Sequence, residues 1–210
     1  IVGIRTFRVT FEGMQNHAGT TPMPLRKDAG RALVDFAARI HERFQARAGE
    51  RSVWTIGQIH LDPGAASIIP GRAELLLQFR DPELGMLDAL EAELHAQVDA
   101  LDAGGPVRVR AEVSGHYVAP VAMDERLLAH LDAAAERHAP GAWMRMPSGA
   151  GHDAQVFAAC LPSAMLFVPS IGGISHDFAE HTAPDDIVRG CRVLTSAALS
   201  ILEEAHRRAP

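Results

Sequence analysis

The sequence predicts a mixed α/β and α+β protein: a four-stranded antiparallel sheet with two helices, followed by part of an α/β domain. Three observations carry this. Four short runs alternate apolar and polar residues, as strands with one buried face do. Two stretches between those runs repeat apolar residues at helical spacing. Beyond about residue 118 the pattern changes to a continuous apolar run flanked by helical segments, which suits a strand buried on both faces.

Phe7, Val9 and Phe11 alternate with Thr6, Arg8, Thr10 and Glu12, which predicts the first strand. A loop from Gly13 to Pro24 follows. Ala29, Ala32, Leu33, Phe36, Ala37, Ile40 and Phe44 form the apolar face of a helix that Gly49 stops. Ser52 to Leu61 is a second strand, and Asp62-Pro63-Gly64 turns the chain. The third strand directs Ala73, Leu75, Leu77 and Phe79 inward, with Glu74, Gln78 and Arg80 on its other face. Leu84, Leu87, Leu90, Leu94, Val98 and Leu101 mark a second helix, ended by Gly104-Gly105-Pro106. Val107, Val109, Ala111 and Val113 alternate with charged residues in a fourth strand. The order strand, helix, strand, strand, helix, strand is the ferredoxin-like, split-βαβ pattern, here over residues 5–118.

Residues 119–210 read differently. Asp124 to Ala139 is a helix with Leu127, Leu128, Leu131, Ala134 and Ala135 inward. Gly149-Ala150-Gly151-His152-Asp153-Ala154 leads into a short helix ending near Cys160. Ala164 to Val168 is the continuous apolar run. The last helix spans about Asp186 to Arg207, with Ile187, Leu194, Ala197, Ala198, Ile201 and Leu202 inward. So small a parallel sheet does not bury its own faces. That deficit, together with the start Ile1-Val2-Gly3 without Met, predicts that upstream residues or a partner complete it.

Composition narrows the function classes. Lys+Arg 20 against Asp+Glu 26 gives a net charge of -6, with no basic patch to meet nucleic acid. No membrane-length apolar stretch and no signal core occur, so the default expectation is cytoplasmic. Cys160 and Cys191 lie in apolar helical patterns and are expected as buried thiols.

Several side chains could carry chemistry. His17, between a strand and a helix, is either a proton-bearing group or charge stabiliser, or a loop histidine without a role. Arg80 ends the polar face of the third strand. It either meets a carboxylate through two parallel hydrogen bonds or is a solvated edge charge. Ser67 either donates to a ligand or shapes a turn. His176 follows the apolar run, where parallel sheets place their sites, with Glu180 as its neighbour. One histidine is not a metal site, since a catalytic zinc needs about three protein ligands.

The motifs together resemble one family. They are Gly13-Met14-Gln15-Asn16-His17-Ala18-Gly19-Thr20-Thr21-Pro22-Met23, Arg26-Lys27-Asp28-Ala29, Pro63-Gly64-Ala65 with Ile69-Pro70, and Phe79-Arg80-Asp81. Pro147-Ser148-Gly149-Ala150-Gly151-His152-Asp153-Ala154 and Pro169-Ser170-Ile171-Gly172-Gly173-Ile174-Ser175-His176 complete the set. The chain is identified by them as a member of the hydantoinase/carbamoylase branch of the M20 zinc peptidase clan. That branch holds N-carbamoyl-L-amino acid hydrolases, allantoate and ureidoglycolate amidohydrolases.

The resemblance implies a lid and dimerisation domain at 5–118 and the C-terminal portion of a metal-dependent catalytic domain at 119–210. It implies hydrolysis of linear C–N bonds with two divalent ions, zinc first, then manganese, cobalt or nickel. It implies a homodimer through the lid and a small substrate bearing a carboxylate. By the same resemblance His176 is the metal ligand present. His17 stabilises the oxyanion in the partner's active site, and Arg80 clamps the substrate carboxylate. Gly151 and Gly173 mark close backbone approaches to substrate or metal. The remaining ligands and the catalytic glutamate lie upstream of Ile1, so the chain alone is expected to be inactive, with weak metal binding or none. Two positions depart from the pattern: Ser67 replaces an asparagine beside the clamp arginine, and Gln78 replaces an aspartate. Rival readings are a dipeptidase or aminoacylase of the same clan, or a non-catalytic lid and dimerisation fragment.

Overall fold

The computed structural model describes residues 1–208. The chain divides into two compact units. The first comprises residues 2–120 and 149–151, and the second Ile1, residues 121–148 and those from 152 onward.

In the first unit the elements run β1 (Gly3–Glu12), β2 (Asn16–His17), α1 (Ala29–Arg47), β3 (Val53–Asp62), β4 (Ile68–Ile69), β5 (Arg72–Asp81), α2 (Leu84–Gly104) and β6 (Arg108–Val113). The four long strands form one antiparallel sheet in the order β3-β5-β1-β6, and β2 and β4 form a separate two-stranded ribbon. The sheet and its two helices are those expected from the periodicities. The ribbon is new, because two-residue strands leave no periodic trace in a sequence.

Both helices cover the same sheet face. Phe7, Val9 and Phe11 of β1 and Ala73, Leu75, Leu77 and Phe79 of β5 pack against Leu33, Phe36, Ile40 and Phe44 of α1 and Leu87, Leu90 and Leu94 of α2. Each of the larger side chains among them contributes on the order of 1.5–3 kcal/mol by leaving water. Asp28 starts α1 by accepting from the Arg31 backbone N–H.

The covered face is not wholly apolar, with Arg5 of β1 and Asp81 of β5 buried on it. Arg5 is buried and pairs with Asp88 and Glu91 of α2. Its guanidinium lies 4.8 Å from the centre of the Tyr117 ring. The Tyr117 hydroxyl donates to Glu91. Partial burial and then this hydrogen bond push the phenol up to about 12. A lone buried guanidinium would be costly, and these partners offset that cost.

The second unit contains α3 (Glu125–His138), α4 (Asp153–Phe157) and α5 (Pro184–Arg208). Leu131, Ala134 and Ala135 of α3 meet Val193 and Ala197 of α5. A polar seam runs alongside. The His130 ring reaches Ser200 Oγ at 2.9 Å and Glu204 Oε2 at 2.6 Å, and His138 reaches Ser196 Oγ at 2.7 Å.

Three expectations for this unit are corrected. Ala164–Val168 forms no strand, and Leu166, Phe167 and Val168 are exposed, because no other strand of the described residues lies alongside to pair with it. The inward face of α5 is only in part the predicted one: Ala197 is buried and Ile201 half-buried as expected. Val193, Ala197 and the residues of the histidine seam face α3, whereas Ile187, Leu194, Ala198 and Leu202 are exposed. The two histidines of α3 recruit the polar side of α5, which a count of apolar spacing does not anticipate. Cys160 and Cys191 are exposed free thiols rather than buried ones. Cys191 lies on the outward stripe of α5, and Cys160 follows the end of α4. No helix of the described residues is long and apolar enough to cross a membrane.

The core assignment is tested by Phe79→Ala. In a Trp143→Phe background, Trp54 fluorescence reports the first unit, since Trp54 packs against Phe44. Denaturant unfolding should show a loss of about 3–5 kcal/mol. A change below about 1 kcal/mol, as exposed positions give, would show that this ring is not central to the core.

Candidate functional site

The loop after β1 holds His17. Its ends cross at Gly13, where an added Cβ would stand 2.0 Å from the Lys27 carbonyl oxygen. Only glycine admits that approach, and it lets the Met14 N–H donate to Lys27 O at 2.7 Å. Within the loop β2 pairs with β4, Asn16 opposite Ile69 and His17 opposite Ile68. The Ala18 N–H then donates to Ser67 O at 2.9 Å, so His17 and Ser67 become neighbours.

The loop also sets the imidazole. Nδ1 accepts from the backbone N–H groups of Gly19 at 2.9 Å and Thr20 at 3.2 Å. A Cβ on residue 19 would stand 3.1 Å from the His17 Cε1, so glycine there leaves room for the ring. An Nδ1 that accepts carries no hydrogen, so the neutral ring holds its hydrogen on Nε2 as a donor. The Thr21 hydroxyl donates to His17 O at 2.7 Å. Arg26 staples the turn from outside: Nε donates to Thr21 O at 3.0 Å and Nη2 to Ala18 O at 2.5 Å. Arg26 stands in one of the motifs that carry the resemblance, but its role as a staple was not legible in the sequence.

Arg80 lies on the sheet face opposite the helices. Nε and Nη2 donate to Gln78 Oε1 at 2.9 and 2.6 Å, and Nη1 donates to Gly149 O at 2.8 Å. The Gln78 amide nitrogen donates to Thr6 Oγ1 at 3.0 Å, which fixes the orientation of the amide. Gly151 lies two residues beyond Gly149, in the same unit.

Within one chain Ser67 stands beside His17, not beside Arg80. Ser67 precedes β4 at the Arg72 end of β5, and Arg80 is at the other end. Eight residues of strand at roughly 3.3 Å each separate those ends by about 26 Å. His17 and Arg80 of one chain therefore do not meet on one small molecule.

In the second unit His176 has φ 59°, the only positive value outside glycine among the described residues. The left-handed region costs a non-glycine residue on the order of 1–2 kcal/mol. Glu180 Oε2 accepts from the His176 backbone N–H at 3.0 Å and offsets part of that. Glu180 thus holds the loop backbone rather than orienting the imidazole. Gly173 has φ 68°, and a Cβ there would meet nothing within 4 Å. His152 Nδ1 accepts from the Ala154 N–H at 3.0 Å and caps α4. No three His, Cys, Asp or Glu side chains of the described residues gather as a metal site. One imidazole does not fit a complete metal centre, and these residues alone do not build one.

The comparisons with known proteins agree with one another. Peptidase family M20/M25/M40 matches residues 12–200. Allantoate amidohydrolase of Escherichia coli (strain K12) is 35% identical over 198 residues, which is 92% of this chain and 46% of that protein. N-carbamoyl-L-amino-acid amidohydrolase of Rhizobium meliloti is 32% identical over 204 residues, 96% of this chain and 48% of that protein. A crystal structure of an amidase of the hydantoinase/carbamoylase family from Burkholderia phymatum superposes with a TM-score of 0.87 at 50% identity, covering 96% of this chain and 48% of that one. The chain spans about half the length of the curated relatives it matches. With the motifs in order along the chain and the fold shared, the protein belongs to the M20 peptidase clan, in its hydantoinase/carbamoylase branch.

Proposed function

We propose that the whole enzyme carrying this chain is a metal-dependent amidohydrolase. It cleaves linear C–N bonds of N-carbamoyl amino acids or related ureido compounds such as allantoate. The observation that carries this reading is the anchored imidazole of His17, with Nδ1 held by two backbone N–H groups and Nε2 left as the outward donor. Such a donor suits the negative charge that develops on a carbonyl oxygen under attack by water. The relatives that are allantoate and N-carbamoyl-L-amino-acid amidohydrolases support the substrate class.

The roles divide as follows. Residues 5–118 are the lid and dimerisation domain, and 119–210 part of the catalytic domain. Arg80 binds the substrate carboxylate through N–H groups that the chain leaves unused. Ser67 adds a hydroxyl beside His17. His176 is one ligand of two divalent ions, zinc first, whose remaining ligands lie outside this chain. Bound ions of this kind supply an acidified water as nucleophile. Gly151 and Gly173 let backbone approach substrate or metal. The chain by itself is catalytically silent on this reading.

The separation of His17 from Arg80 supports a homodimer in which His17 and Ser67 of one copy complete the site holding Arg80 of the other. The sheet offers β3 as an outer strand with Val53, Ile59 and Leu61 exposed. An open groove beside it is lined by Ala37, Ile40, His41, Val53, Trp54 and Ile56. An uncovered edge of this kind pairs readily with a second copy.

Three measurements test this reading. In the whole enzyme, His17→Ala should lower kcat for ammonia release roughly 10²–10³-fold, the usual effect of removing one oxyanion donor, with KM little changed. An unchanged kcat removes His17 from the chemistry. Arg80→Ala should weaken binding of substrates with a free carboxylate by about 2–5 kcal/mol. Equal losses for a carboxylate substrate and its neutral amide would show that Arg80 is no clamp. Light scattering of the 210-residue chain should give the mass of a dimer. A monomer at high protein concentration counts against pairing through the first unit.

A further inference from the structure

Arg8, Arg72 and Arg80 lie on the sheet face opposite the helices, with Arg108 and Arg110 of β6 beyond them, and the surroundings of the first three differ. Arg8 and Arg72 both pair with Glu74, at 2.8 and 2.5 Å. The Arg72 hydrogen bond holds the Glu74 carboxyl below its usual range, so it is ionised and cancels charge. Arg80 is held only by neutral acceptors, the Gln78 amide oxygen and the Gly149 carbonyl oxygen. Among the described residues no carboxylate pairs with it.

A count of donors sharpens the contrast. A guanidinium has five N–H groups. Gln78 occupies that of Nε and one on Nη2, and Gly149 occupies one on Nη1. One N–H therefore remains on each terminal nitrogen, and each can donate to a carboxylate oxygen. Gln78 cannot swing its amide group away or turn it over without losing the bond to Thr6 Oγ1.

We propose that Gln78 is the positioning residue that sets the specificity of the Arg80 site: it orients the guanidinium through a neutral oxygen and leaves the positive charge whole for a substrate carboxylate. The inference rests on the reading of Arg80 as the carboxylate clamp. A carboxylate at position 78, the residue class that the resemblance places there, would take the same two N–H groups and offset part of the charge, so such a site would still hold a substrate anion but less tightly. An uncharged residue without an acceptor would keep the charge and lose the orientation. The favoured ligand is a carboxylic acid in its anionic form, in preference to its amide or ester.

The test uses the whole enzyme, with a carboxylate substrate and its neutral amide counterpart. Gln78→Glu is nearly isosteric and should raise KM for the carboxylate substrate about tenfold, a modest Coulombic loss at a partly exposed site. Its kcat, and KM for the neutral amide, should hold. A change in the fold of the strand would move both substrates together. Gln78→Met provides the second variant, with KM for the carboxylate raised while KM for the amide again holds. If Arg80→Ala raises KM for the carboxylate selectively but neither Gln78 variant does, the clamp stands and the role of Gln78 is wrong. If Arg80→Ala itself shows no selectivity, the clamp reading fails first. Selective losses in both Gln78 variants establish the proposal, and a loss in Gln78→Met alone overturns the charge-preserving half of it.

Discussion

The register between β1 and β5 is the constraint on which the first unit depends. Ten consecutive pairs join the two strands, from Gly3 opposite Asp81 to Glu12 opposite Arg72. Side chains alternate faces along a strand, so a slip by one residue would exchange the two faces. In the observed register Phe7 lies opposite Leu77 within the core, and Thr6 lies opposite Gln78 on the other face. The same pairing therefore seals the helices onto the sheet and orients Arg80. It also decides what each end of the sheet carries. The Glu12–Arg72 end opens into the His17 loop and the Ser67 turn, and the Asp81 end presents Arg80.

At the first end, the His17 loop is closed locally. A loop carrying a hydrogen-bonding imidazole must restrict the ring without burying it. Here backbone N–H groups fix one ring nitrogen, a threonine hydroxyl and an arginine bind the carbonyls, and a glycine crossing joins the ends. Each of these bonds contributes modestly, on the order of 1 kcal/mol, but together they remove most alternatives for one exposed side chain. Preorganised donors matter because they need no rearrangement when charge develops.

The second unit obeys a different balance. Its two long helices meet through small residues and a histidine–serine seam, which leaves the larger apolar residues of α5 outward. The apolar count of α5 therefore spans two faces, of which one meets α3. The Glu204 carboxyl is held below its usual range, first by the His130 hydrogen bond, which ties the seam's polar side to α3.

By itself the sequence determined the elements whose periodicity is long and regular. The alternation through Phe7–Phe11 and Ala73–Phe79 and the helical spacing through Leu33–Phe44 follow from burial on one face, which a linear pattern records. The motifs also located His17, Arg80 and His176 as candidates, because residue type and order are linear properties. Tertiary structure alone decided which of them meet. Ser67 joins His17 rather than Arg80 because a two-residue ribbon folds one loop onto another. The face of α5 was settled by the partners on α3, and Ala164–Val168 stayed unpaired for want of a strand beside it. The physical reason is common to these cases: hydrogen bonds and charges are satisfied between segments far apart in the chain, and nothing in a local pattern says which distant group will be the partner.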